Sequence, residues 1–171
     1  MELLFEKGGL IYMGKYMKNY KLRILASLLV INICLIFSAC AQELSSVELT
    51  HKAWDALGKR EYADAIRWAD LCIEKYAEKA KEQQGSLSKF APLGEEENFR
   101  ILNDVGTSYF IKGEALRKQD KPQEAIRAYQ AVIDAYGFAQ CWSPRGWYWK
   151  VTEDSARKIK EIKEAGQKKQ E

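Results

Sequence analysis

Two polar turns, each followed by a helix-like segment, recur in this chain. Residues 59–66 read KREYADAI and residues 120–129 read DKPQEAIRAY. Each copy passes from charged residues into a small residue followed by isoleucine, and the alanines Ala65 and Ala125 lie 60 residues apart. A recurrence of this kind is typical of helical repeats, whose units stack to bury a continuous core. It predicts an all-α fold of antiparallel helical hairpins.

The first 40 residues differ from the rest of the 171-residue chain. Basic residues precede an apolar run over 24–37, which ends in the small residues of Ser38–Ala41. This order of charged, apolar and small segments is that of a secretory signal peptide, and the run is short for a membrane span. We therefore expect residues 1–40 to be a signal peptide, with translation beginning at Met13 or at Met17 rather than at Met1. The basic residues are Lys15, Lys18, Lys21 and Arg23.

The end of the signal has three interpretations. Ser38-Ala39-Cys40 resembles the lipobox of bacterial lipoproteins, in which the cysteine is lipidated and becomes the first residue; the resemblance implies that Cys40 is the lipidation site and residues 41–46 a short tether. Ala39-Cys40-Ala41 also fits ordinary cleavage after Ala41, and an uncleaved anchor stays open. The first interpretation predicts an exported, membrane-anchored protein, on the outer membrane in a Gram-negative cell. The second predicts a soluble periplasmic or secreted one.

Charge and cysteine content limit the possible partners. From Cys40 onward, 22 Lys and Arg balance 22 Asp and Glu, so no basic face for nucleic acid is indicated. Cys72 and Cys141 remain in the mature part, where they could pair in an oxidising compartment or stay as small buried residues. His51 is the single histidine, and no zinc-ligand set, phosphate loop or nucleophile motif accompanies it. We expect no catalytic residue, metal or cofactor.

The mature chain divides into helices by its apolar spacing. Ser45 and Glu48 form a capping-box pattern at the start of the first helix. The expected domain covers residues 47–162, and a polar tail follows at 163–171. Within it we expect a first repeat at about 49–84, a loop at 85–94, a second repeat at about 95–137 and a C-terminal capping helix at about 147–162.

The two helices of the second repeat, at about 95–137, resemble a tetratricopeptide repeat (TPR), and the two helices of the first repeat, at about 49–84, match the same motif more loosely. The resemblance implies a short TPR-like α-solenoid that binds a protein or peptide partner in the bacterial cell envelope. The positions that carry it are Leu49, Ala53 and Ala65 in the first copy, and Tyr109, Gly113, Leu116, Ala125, Tyr129 and Val132 in the second.

A cluster of aromatic residues follows the second repeat. Three of the five tryptophans, Trp142, Trp147 and Trp149, lie in this one short stretch, with Arg145 beside them. Such rings stack on sugar faces or anchor protein interfaces, but they could equally close the end of the helical array. These four residues are the candidate ligand-binding set, and a glycan or cell-wall binding module is the alternative function.

Overall fold

The computed structural model describes residues 43–168, which are mostly helical and include one short, two-stranded antiparallel β-sheet. The expected signal peptide, its start codon and Cys40 lie outside the described residues. None of the helices in the described range is long and apolar enough to cross a membrane. In chain order the elements are α1 (Ser46–Gly58), α2 (Tyr62–Gly85), a 3-10 turn (Glu96–Phe99), α3 (Arg100–Lys118), α4 (Pro122–Ala135), β1 (Gln140–Ser143), β2 (Trp147–Lys150) and α5 (Val151–Gln167).

The two recurring turns have the same backbone structure. Arg60 and Asp120 both adopt a left-handed conformation, with φ of 66° and 57°. In each turn, the N–H of the next residue reaches back five positions: Glu61 donates to the Ala56 carbonyl at 2.9 Å and Lys121 donates to the Leu116 carbonyl at 3.0 Å. The sequence recurrence is therefore a recurrence of structure, and it joins α1 to α2 and α3 to α4 in the same way.

The helices run alternately up and down, so that α1 and α3 point in the same direction. Ser46 bonds the Asp104 carboxylate and, one turn further on, Thr50 lies within hydrogen-bonding distance of Ser108. The predicted capping box of α1 is confirmed: the Ser45 hydroxyl accepts from the Glu48 N–H, and the Glu48 carboxylate accepts from the Ser45 N–H at 2.9 Å. Pro122 is the first residue of α4, where its missing N–H costs little.

The core lies between the helices, and α3 packs against α1, α2 and α4. The repeat-signature residues are buried there, except that Tyr109 is partly exposed. One close approach is at Gly113: a Cβ atom at this position would lie 2.5–2.8 Å from the Tyr129 ring. Gly113 therefore lets α4 approach α3 closely. In the first pair, α1 and α2 instead pack through alanines, among them Ala53, Ala65 and Ala69.

The expected boundaries at the C-terminal end were wrong. The last helix begins at Val151 rather than near residue 147, and it continues to Gln167 through part of the expected tail. Residues 147–150 form strand β2 instead. The reason is the turn before it: the Gly146 N–H donates to the Ser143 carbonyl at 2.9 Å, and Gly146 has φ of 98°. A three-residue loop that ends in a left-handed glycine is a common hairpin connection, and aromatic residues favour strands.

Candidate functional site

The aromatic segment folds into a hairpin whose two faces have different surroundings. Its register pairs Cys141 with Trp149 and Trp142 with Tyr148. Directly opposed residues share a face of an antiparallel pair, so these two pairs lie on opposite faces. Trp149 packs against Phe110 of α3 with ring centroids 5.1 Å apart, whereas the Trp142 and Tyr148 rings contact each other edge to face at 5.1 Å.

Asn103 fixes the base of this hairpin to the helical body. Its side-chain oxygen accepts the Gln140 N–H at 2.8 Å, and its amide group donates to the Glu96 carbonyl at 2.9 Å. Asn103 is itself buried, so both bonds form away from water. A buried polar group is costly unless it is paired. These two hydrogen bonds of Asn103 therefore hold the hairpin, the loop and α3 in one arrangement.

A cleft of about 540 Å³ lies between α1, α3 and the hairpin. Each helix contributes one stripe at the helical spacing of three, four and seven residues, and the hairpin closes one side. Trp54, Trp142, Tyr148 and Trp149 supply aromatic walls. The α1 stripe is Val47, Thr50, His51 and Trp54; the α3 stripe is Arg100, Asn103, Asp104 and Thr107; the hairpin adds Gln140–Pro144, Tyr148 and Trp149, with Glu97 at the edge.

Asp104 is the partly buried carboxylate of the cleft wall. The Ser46 hydroxyl donates to the Asp104 carboxylate at 2.7 Å. Burial raises the pKa of Asp104, and the Ser46 bond and the charges of Arg100 and His51 act in the opposite direction. A partly buried carboxylate with a raised pKa lies in a cleft, which is an arrangement that frequently marks a binding site.

The four residues expected to bind a ligand do not form one group. Trp142 and Trp149 line the cleft, but Arg145 lies in the hairpin turn and is exposed. Trp147 is 49% exposed and lines a separate depression together with Leu93 and Trp142. The aromatic segment therefore lines two surfaces, and Trp142 and Tyr148 belong to both.

The two remaining cysteines are free and are not bonded to each other. Burial raises the pKa of Cys72, although hydrogen bonds with Ser108 and Thr50 oppose the shift. Burial likewise raises the pKa of Cys141 to about 11. Since the thiolate is the reactive form, neither thiol is suited to nucleophilic chemistry near neutral pH.

Most of the cleft was missed by sequence reasoning, although one signal was present. Arg100, Asn103, Asp104 and Thr107 form a polar stripe at helical spacing beside the apolar stripe of α3. Within residues 43–168 no group of three or more His, Cys, Asp or Glu side chains is placed to hold a metal ion. Comparison with known proteins finds no family model, curated protein or solved structure that matches this chain.

Proposed function

We propose that this chain is an exported, membrane-anchored scaffold of the bacterial cell envelope, and that it binds a peptide segment of a protein partner in the cleft. The two helix pairs form a short TPR-like α-solenoid, with α5 as its capping helix. The signature positions support this assignment, because they occupy equivalent parts of both pairs and are largely buried. The role is binding rather than catalysis.

The observation that carries the proposal is the pair of stripes from α1 and α3. They belong to the first helices of the two pairs, which run in the same direction and leave a shared surface between them. Repeat scaffolds use such surfaces of parallel first helices to hold extended segments. Here the hairpin closes one side, and a volume of about 540 Å³ suits a few residues of a peptide rather than a folded domain.

The test is a peptide selection on the full chain with matched variants. Peptides are enriched from a random displayed library, and their affinities are measured for the wild type, for a His51→Ala/Arg100→Ala variant and for Trp147→Ala. His51 and Arg100 are exposed and line the cleft, whereas Trp147 lies outside it. We expect a loss of about tenfold or more in the cleft variant, equivalent to about 1.4 kcal/mol, and little change in Trp147→Ala. Equal affinity in all three would refute the peptide site.

A glycan ligand is the second candidate, because aromatic walls stand beside hydrogen-bonding groups in the same cleft. Planar rings stack on the apolar faces of sugars, and groups such as Asp104 and Arg100 could bond hydroxyls. Soluble cell-wall fragments are titrated while tryptophan fluorescence is followed. A saturable change that Trp142→Ala abolishes favours the glycan; the absence of any change, with peptides binding, excludes it.

The anchor is a separate part of the proposal and has its own test. Export and lipidation at Cys40 are supported by the sequence of residues 15–41 alone. Mass spectrometry of the N-terminus of the processed protein distinguishes the three possibilities. An acylated Cys40 is expected; an N-terminal Gln42 would indicate ordinary cleavage, and a longer N-terminus an uncleaved anchor.

A further inference from the structure

The exposed large hydrophobic side chains of the described region are gathered on one surface. Leu93 is 94% exposed, Trp142 55% and Trp147 49%, and all three line the depression between the hairpin and the loop that precedes the 3-10 turn. We call these three residues the apolar patch. Single exposed hydrophobic residues are ordinary, but a contiguous group of the largest ones marks an interaction surface.

The patch is held in place by hydrogen bonds and is not a loose loop. Glu96 is buried, and its carboxylate accepts the Gly94 N–H at 2.7 Å, directly beside Leu93. On the hairpin side, the Tyr148 hydroxyl donates to Glu97 at 2.8 Å, and the Tyr148 ring supports Trp142. These hydrogen bonds fix the loop and the hairpin that present the exposed apolar side chains.

The chain enters the helical domain at the same end of the molecule. The Tyr76 hydroxyl donates to the Leu44 carbonyl at 2.8 Å, and Ser46 bonds Asp104. The neighbour of Asp104 is Asn103, which bonds both Gln140 at the base of the hairpin and Glu96 beside the patch. A short series of contacts thus connects the N-terminal entry of the chain to the patch.

The length of the chain between Cys40 and Leu44 limits how far this end of the domain can lie from the membrane. Leu44 is four residue steps from Cys40, and a chain spans at most about 3.6 Å per residue, or about 14 Å in total. If Cys40 carries the lipid, as the proposed function holds, the entry end of the domain must stay within about that distance of the bilayer. Tryptophan favours the membrane interface, and leucine favours the acyl boundary just below it. Arg145, in the hairpin turn, is suited to the phosphates of the headgroups.

We propose that the apolar patch is a membrane-contacting surface that inserts into the lipid interface and orients the anchored domain. The inference rests on the anchoring part of the proposed function. Trp142 lines both the patch and the cleft, but the α1 and α3 side of the cleft, with His51 and Arg100, lies outside the patch.

The test uses the full chain, expressed with its own N-terminus and recovered in its processed form from the membrane. It is reconstituted into phosphatidylethanolamine–phosphatidylglycerol vesicles with and without lipids brominated near the headgroup. Flotation of the vesicles reports the anchor, and quenching of tryptophan fluorescence reports contact with lipid. The patch variant is Trp142→Phe/Trp147→Phe. The control is Trp68→Phe, because Trp68 lies on α2 and not in the patch. The Arg67 guanidinium covers its ring, with the Arg67 Cζ atom 4.1 Å from the ring centroid.

We expect the wild type and Trp68→Phe to float and to be quenched, and the patch variant to float with quenching reduced about twofold or more. Flotation without quenching of the wild type, or equal quenching in the patch variant, would overturn the inference and leave the anchor intact; the patch would then face a protein. Failure to float would overturn the anchor and, with it, the inference. Neither outcome decides the peptide selection, whose cleft variant changes His51 and Arg100 outside the patch.

Discussion

The helices are connected in two different ways at the two ends of the molecule. At one end the twin turns at residues 59–61 and 119–121 share a left-handed residue and the same hydrogen bonds. At the other end, α2 and α3 are joined by a long loop and α4 and α5 by the aromatic hairpin. The cleft and the apolar patch both involve this second end. The repeated end therefore consists of two equivalent turns, whereas the unrepeated end holds the cleft and the apolar patch.

The largest expected effect is at the unrepeated end, where Asn103 holds it together. Asn103→Leu keeps the volume but leaves the Gln140 N–H and the Glu96 carbonyl without their partner. We expect a loss of about 2–4 kcal/mol in the free energy of unfolding, because each unpaired buried group costs about 1–3 kcal/mol. Urea denaturation measures it, and exposed Asn98→Ala is the control. If the two variants unfold alike, Asn103 does not fix the hairpin.

The helical body gives the next largest effect, at Gly113. An added methyl group would meet the Tyr129 ring at 2.5–2.8 Å, while no atom lies within 4 Å of the corresponding position at Gly58. We expect Gly113→Ala to lose about 1–2 kcal/mol, since the strain outweighs the gain in helix propensity. Gly58→Ala should lose nothing. Thermal unfolding compares them, and a stabilised Gly113→Ala would mean that close packing is not what this glycine provides.

At the repeated end, substitution by glycine should raise the free energy of unfolding at one position and lower it at the adjacent one. Arg60 has φ of 66°, a conformation that costs about 1 kcal/mol for a residue with a side chain. Lys59 has φ of −77°, where glycine gives only added flexibility. We expect Arg60→Gly to gain about 0.5–1 kcal/mol and Lys59→Gly to lose a similar amount. Chemical denaturation of both variants distinguishes this from a turn that tolerates any residue.

The smallest expected effect is the pH dependence of Asp104. Burial raises its pKa in the folded state, so the fold binds this proton more tightly than the unfolded chain does. The stability that this provides is present at low pH and is lost as the pH rises through the carboxyl range. Asp104→Asn should therefore be more stable than the wild type at about pH 7 and no more stable at about pH 3. A gain of equal size at both values would assign the effect to packing instead.

Local patterns in the sequence predicted the helical body but not the surfaces at its unrepeated end. The twin turns, the Ser45–Glu48 capping box and the buried alanines each depend on residues close in sequence, so spacing alone identified them. The hairpin was missed because three aromatic residues in a row suit a helix or a strand, and Gly146 after Pro144 was not recognised as a hairpin turn. The cleft could not be predicted, because it depends on bringing residues near 50, 104 and 142 together.

Hydrogen exchange of the full chain with and without a selected peptide locates the segments that bind the peptide. We expect added protection in residues 47–54, 100–107 and 140–149, which line the cleft, and none in the twin turns at 59–61 and 119–121. The same pattern should be absent in the His51→Ala/Arg100→Ala variant. Protection confined to the twin turns or to α5, with the cleft segments unchanged, would show that the peptide does not bind in the cleft.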